Sequence, residues 1–250
     1  MTETTAAYNF IGIFDRLQRM DWHRKADLMS IEDTLYAELN AAPDNLIGLI
    51  AMLRSRIMQG NVIKARALVH KIWSIGGEIP PIIEYTYLNS LLDLGMLDMA
   101  MTLLRPRLAD IASVGLFAPA AAKFAVMTGN FNIIERLAAN PETSYFDGLS
   151  DFIGVYKKLQ YTEHFKNMQK IIFETAKNKM AAFEYNVYFD RGITDLEAVV
   201  YIAGTAAECR ELWQEIEKKI NGYFVSGNIR RLNNYCLRIR NISEHPPVFK

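Results

Sequence analysis

The sequence predicts a mainly α-helical protein, in which an array of helical hairpins is followed by a small α+β domain. The first observation behind this fold class is a period: Gly60, Gly95 and Gly129 stand 35 and 34 residues apart, each between stretches whose apolar residues recur at helical spacing. The second is a change of pattern late in the chain, where apolar residues alternate as in strands. Together these observations predict a helical-repeat domain over 1–180 and an α+β domain over 181–250, in the order β-β-α-β.

The helical pattern begins near the N-terminus. Apolar residues from Phe10 to Met20 recur at intervals of three and four, which predicts one helix. Ser30 and Asp33 then resemble a capping box, in which the serine side chain satisfies an amide at the start of a second helix. We expect Pro43 to close that helix.

Three helical pairs are predicted around the three glycines. Each glycine is expected to adopt the left-handed backbone conformation that ends one helix and turns the chain into the next. Ala65 and Ala100 stand five residues after the first two glycines, where a small side chain lets the second helix approach the first. A weaker fourth pair is predicted over 152–159 and 164–179. Stacked side by side, such pairs bury one continuous core.

The glycine period and the alanines that follow it resemble the tetratricopeptide repeat over residues 44–179. The resemblance implies a right-handed α-α superhelix that binds a peptide or helix of a partner protein in a groove lined by the first helices. The repeats are degenerate, since the small residue expected before the turn is present only as Ala122, and Ile134 replaces the alanine after the third turn. One subset of the family holds a peptide carboxylate with lysine and asparagine, and Ile50 and Arg54 occupy those positions in the first repeat.

Three residues of the array are candidates for contact with a partner. They are Arg54, Arg56 and Tyr87. Arginine can donate two parallel hydrogen bonds to a carboxylate, which suits a peptide ligand. The alternative for the two arginines is a solvated helix face without a ligand.

The segments that begin at Gly76 and Gly115 resemble the pentatricopeptide repeat, a related family that reads single-stranded RNA. That family places short polar side chains on its first helices to bond base edges. The corresponding positions, nine residues before each turn glycine, hold Ala51, Thr86 and Ala120, and two alanines cannot discriminate bases. RNA binding by a helical-repeat protein is therefore the alternative function.

The C-terminal region shows strand patterns on both sides of one helix. Residues 183–189 and 196–202 alternate between apolar and polar, and the turn residues 190–192 between them predict a β-hairpin. Thr205 and Glu208 form a capping box at the start of a helix.

That helix is expected to end at Asn221 and Gly222. Alternation resumes over 235–240 and predicts a third strand. The expected domain is an antiparallel sheet with the helix on one face.

Such a sheet has at least one open edge, and its unpaired backbone groups motivate the hypothesis of a homodimer paired through this domain. The region also has a local excess of basic residues. These are Arg230, Arg231, Arg238 and Arg240. Arginines beside aromatic residues can bind the phosphates and bases of RNA. The alternative is that they pair with Glu215 or Glu217 of the preceding helix.

Composition narrows the function classes. The chain has 28 basic and 28 acidic residues and a formal net charge of +0, which gives no support to binding of nucleic acid or membrane through overall charge. No leader pattern or bilayer-length apolar run is present, so a cytoplasmic protein without a membrane partner is predicted. Cys209 and Cys236 are expected to be buried free thiols.

Motifs for phosphate, dinucleotide and zinc binding were not found, which predicts a protein without cofactor or metal. The predicted function is a scaffold or adaptor that binds another protein. RNA binding is the alternative, and an enzyme whose site is assembled from distant residues is a third.

Overall fold

The structure is a computed structural model that describes residues 12–14, 16–17, 25–109, 115–139, 146–190 and 193–245. The predicted N-terminal helix is helical at 12–14 and 16–17, where Ile13, Phe14 and Leu17 are buried. Its other residues lie outside the described part of the chain, as do Arg191 and Gly192 of the predicted turn.

From residue 25 onward, the described chain is mainly helical and ends in a small three-stranded sheet. Its helices are α1 (Lys25–Ala41), α2 (Leu46–Met58), α3 (Val62–Ile75), α4 (Pro81–Asp93), α5 (Leu97–Ala109), α6 (Ala118–Thr128), α7 (Phe131–Ala138), α8 (Asp147–Lys158), α9 (Thr162–Ala176) and α10 (Ala206–Ser226). Its strands are β1 (Met180–Asp190), β2 (Ile193–Ile202) and β3 (Tyr235–Asn241). This architecture confirms the predicted fold class, a helical region followed by a small α+β unit.

Helices α2 to α9 form four hairpins with the same turn. Gly60, Gly95 and Gly129 have φ angles of 73°, 66° and 65°, so each adopts the left-handed conformation that the sequence predicted. The fourth turn places Gln160 in that conformation at φ 59°. After each turn residue, an amide donates to the carbonyl five residues earlier, as Tyr161 does to Tyr156 at 2.7 Å. The weaker fourth pair is therefore also confirmed.

Two predicted helix boundaries are wrong. Helix α1 begins at Lys25, so Ser30 lies inside it rather than at its cap, and the Ser30 carbonyl accepts a bond from the Thr34 hydroxyl at 3.0 Å. Helix α10 continues through Gly222 to Ser226, because burial of Phe224 on its inner face outweighs the cost of a glycine in a helix. The capping box at the start of α10, by contrast, is present as predicted.

The sheet has the order β1-β2-β3 and is mixed. β1 and β2 are antiparallel, with Phe183 opposite Val200. β2 and β3 are parallel, with Leu196 opposite Tyr235, so the expectation of an entirely antiparallel sheet is wrong. Helix α10 carries the chain back to the starting end of β2, and a crossover of this kind produces parallel strands.

The sheet packs directly against the helical hairpins. β1 contacts α2, α4, α6 and α8, the first helix of each hairpin. The Phe183 ring lies 5.1 Å from that of Phe173, and the Tyr235 ring lies 5.6 Å from that of Phe165. Helices and sheet thus share one hydrophobic core. Part of the surface on which a partner peptide was predicted is covered by the protein's own strand.

Candidate functional site

A cleft of about 430 Å³ remains between the first helices and the start of β1. Its lining comes from the N-terminal helix, α2, α4, α6, β1 and the turn after β3. The residues are Leu17, Arg54, Met58, Ile82, Tyr85, Thr86, Asn89, Asp93, Lys123, Phe183, Glu184 and His245. The volume falls within the range of roughly 300–1,000 Å³ that is usual for ligand sites.

Three polar residues of this cleft occupy equivalent positions in successive hairpins. Arg54, Asn89 and Lys123 each stand six residues before the left-handed glycine of their own hairpin. Because the hairpins repeat with that spacing, the same helix face carries all three side chains into one cleft. The cleft is therefore a property of the repeat and joins three hairpins.

Asp93 connects two of these residues. Its Oδ2 accepts from the Arg54 guanidinium at 2.7 Å, and its Oδ1 accepts from the Lys123 ammonium at 2.6 Å. The amide of Phe183 in β1 donates to the same Oδ1 at 3.4 Å. Burial by itself would raise the pKa of Asp93, but the charges and hydrogen bonds of Lys123 and Arg54 lower it below its ordinary value. One ionised carboxylate thus links α2, α4, α6 and β1.

The cleft contains a second polar cluster, around Glu184 of β1. His245 Nε2 lies 3.1 Å from Glu184 Oε1, and the Tyr201 hydroxyl donates to Glu184 Oε2 at 3.0 Å. Burial would raise the pKa of Glu184, but hydrogen bonding to His245 and Tyr201 lowers it. Apart from His245, the charged residues of the lining are two cations, Arg54 and Lys123, and two carboxylates, Asp93 and Glu184.

Only one of the predicted contact residues of the array lies in the cleft. Arg54 is there, with its side chain 22% exposed. Arg56 is buried and pairs with Glu32 at 3.0 Å, so it belongs to the packing of α2 against α1. Tyr87 is also buried, and its hydroxyl donates to the Val69 carbonyl at 3.4 Å. Neither the solvated-face alternative nor a partner contact describes Arg56.

The C-terminal arginines do not converge on one site. Arg231 donates to both oxygens of Glu217, at 2.7 and 3.0 Å, as the pairing alternative predicted. Arg238 pairs with Glu197 of β2, Arg230 is exposed in the loop before β3, and Arg240 is partly exposed on β3. Two of the four are thus already held by a carboxylate.

The positions that a pentatricopeptide repeat would use to read bases are not available. Ala51 and Ala120 are fully buried, and the Thr86 hydroxyl donates to the Ile82 carbonyl at 3.2 Å.

The prediction that both cysteines are buried is right for one of them. Cys209 is buried, but Cys236 is exposed because it falls on the outer face of β3.

Sequence reasoning missed most of the cleft. Asn89 and Lys123 could have been found by adding the repeat spacing to Arg54. Asp93, Glu184 and His245 carry no such signal, because their partners lie far away in sequence and meet only in the folded chain.

Histidine, cysteine, aspartate and glutamate nowhere form a group of three able to hold a metal ion, as far as the described residues extend. Of the helices that the structure describes, none combines the length and the apolar content needed to cross a bilayer.

No protein-family model matches the chain, and no curated protein or solved structure matches it significantly. The tetratricopeptide-like assignment and the handedness of its superhelix stay predictions.

Proposed function

We propose that this protein is an interaction module that binds an extended peptide segment of a partner protein in the cleft. The observation that carries the proposal is the equivalence of Arg54, Asn89 and Lys123, which places one polar side chain from each of three hairpins in a single open cleft. A peptide that runs across the hairpins would meet all three in turn.

The chemistry of the lining suits a peptide. The Asn89 amide can both donate to and accept from a peptide bond. Arg54 and Lys123 can receive a carboxylate of the ligand, and Met58 and Ile82 supply apolar contact for a side chain. Because Asp93 already orients both cations, their side chains are ordered before a ligand arrives, which lowers the entropic cost of binding.

Selection of peptides from a displayed random library on the purified full chain tests this proposal. Selected peptides should bind the unmodified protein, and Asn89→Ala should weaken them about fivefold, the loss expected for one hydrogen bond of about 1 kcal/mol. Asn89 is the informative position because its replacement removes no charge from the Asp93 cluster.

The matched control is Asn132→Ala, on the exposed face of the outer helix α7. It should leave affinity unchanged. Equal binding by Asn89→Ala and the unmodified protein, or a selection that yields no cleft-dependent peptide, would refute the proposal.

RNA binding is the less favoured alternative, because two base-reading positions are buried and two arginines are paired. Filter binding to single-stranded RNA at two salt concentrations tests it. RNA retention on the filter that falls steeply with salt would support RNA binding, and only a salt-independent background would exclude it.

A further inference from the structure

The two edges of the sheet differ. The β1 edge lies against four helices, and the amide of Phe183 in β1, which points away from β2, donates a hydrogen bond to Asp93. On the other side of the sheet, no strand follows β3 within the described residues. β3 pairs with β2 over seven residues without a register shift, so its edge has no bulge to block another strand.

The register shows which backbone groups of β3 point outward. The Leu196 amide donates to the Asn234 carbonyl at 2.9 Å, and Leu196 is opposite Tyr235. In a parallel ladder with this register, every second residue bonds to the neighbouring strand. The amides and carbonyls of Tyr235, Leu237 and Ile239 therefore face away from β2.

The exposed face of β3 is basic. Arg238 and Arg240 stand two residues apart and so lie on the same face. The Arg238 side chain remains 52% exposed although it pairs with Glu197. Two copies of the chain could pair antiparallel over the whole of β3, with Tyr235 of one copy opposite Asn241 of the other. Arg238 of one copy would then lie opposite Arg238 of the other, and like charges in that position are destabilising. The charge pattern disfavours a second copy and favours an acidic strand.

The inner side of the edge offers apolar contact. Helix α10 packs on β3, and its Trp213 is 42% exposed. Trp213 lies one helical turn before Glu217, on the same flank of α10. The Glu217 carboxylate on this flank accepts hydrogen bonds from Arg231, which lies just before β3. Ile239 is partly buried on the same side of the sheet. An apolar side chain of an added strand would point toward this flank.

We propose that β3 is a second binding surface, which accepts an extended acidic segment of another protein as a fourth strand. The backbone of that segment pairs with the outward groups of Leu237 and Ile239. Its acidic residues, two positions apart, face Arg238 and Arg240, and the apolar residue between them faces the flank of Trp213.

Fluorescence anisotropy on the full chain tests the charge requirement. The probe is a labelled peptide of about nine residues in which glutamate alternates with valine, and its control has lysine in place of glutamate. The acidic peptide should bind at least tenfold more tightly than the basic one. The double variant Arg238→Glu, Arg240→Glu should reverse this preference. Equal affinities for the two peptides would overturn the proposal.

A second measurement tests the backbone pairing on the unmodified protein, and so does not depend on how well the variant folds. Methylation of the peptide amides that face β3 should weaken binding at least tenfold, while methylation of the amides that face away should not. Bound peptide should slow hydrogen exchange at Leu237 and Ile239.

Protection at other amides instead, or equal effects of the two methylation patterns, would contradict strand addition at β3. Sedimentation that shows a dimer dissociated by the acidic peptide would assign the edge to a second copy and overturn the proposed partner.

Discussion

Asp93 is the residue on which the cleft most depends. Its carboxylate is buried between Arg54 and Lys123 and also receives the Phe183 amide. We expect Asp93→Asn to lower the free energy of unfolding by about 3 kcal/mol at pH 7, because it leaves two partly buried cations without their counter-ion. Urea unfolding followed by circular dichroism measures the change. The control Asp33→Asn, at an exposed site in the middle of α1, should change it by less than about 0.5 kcal/mol.

The same substitution has a pH signature. Because the pKa of Asp93 is lowered in the folded state, its contribution to stability is present above the ordinary value of 3.8 and is lost as the pH falls through the folded-state pKa. The difference between Asp93→Asn and the unmodified protein should therefore shrink below about pH 4. A difference that stays constant from neutral pH to pH 3 would show that the charge of Asp93 is not what stabilises the cluster.

At the scale of elements, two turns of the hairpins have the same backbone conformation but different surroundings. Gly95 and Gly129 have nearly equal φ angles, so an alanine at either site pays a similar left-handed penalty of about 1 kcal/mol. Their surroundings differ. A Cβ at Gly95 would meet the flexible end of Met180 at 3.0 Å, whereas one at Gly129 would stand 2.6 Å from the Lys166 Cα.

We therefore expect Gly129→Ala to destabilise the protein by at least about 2 kcal/mol more than Gly95→Ala, because the backbone of α9 would have to move. Thermal unfolding of the two variants side by side measures this. Equal losses would mean that α9 can shift away from the third turn without cost.

Short sequence motifs predicted the presence of helices, turns and strands better than they predicted where a helix ends or which way a strand runs. Three turns and the α10 capping box were readable because a glycine or a threonine-glutamate pair acts within a few residues. The fourth turn was a weak signal because Gln160 takes the place of glycine. The end of α10 and the direction of β3 were misjudged, because burial of Phe224 and a helical crossover are tertiary effects.

At the scale of the whole molecule, the predicted boundary between 1–180 and 181–250 crosses a shared core. In arrays of helical repeats each unit contacts only its neighbours, but here β1 contacts all four hairpins. We expect one cooperative unfolding transition. Trp73 in α3 reports on the array and Trp213 in α10 reports on the C-terminal unit.

The double variants Trp22→Phe, Trp73→Phe and Trp22→Phe, Trp213→Phe each retain a single tryptophan and so isolate these two signals. In each variant, the fluorescence transition in guanidinium should have the same midpoint as the loss of helix measured on that variant. A fluorescence midpoint that differs from the midpoint of helix loss within one variant would show that the helical array and the C-terminal unit unfold independently.

The position of β1 also has a consequence for the order of events during synthesis. The strand follows all four hairpins in the chain, so translation delivers the helices before the segment that covers them. At roughly 5–20 residues per second, the nascent array waits for seconds with the inner surfaces of α2, α4, α6 and α8 uncovered. In that interval a chaperone or a neighbouring nascent chain can reach the surface that β1 later occupies.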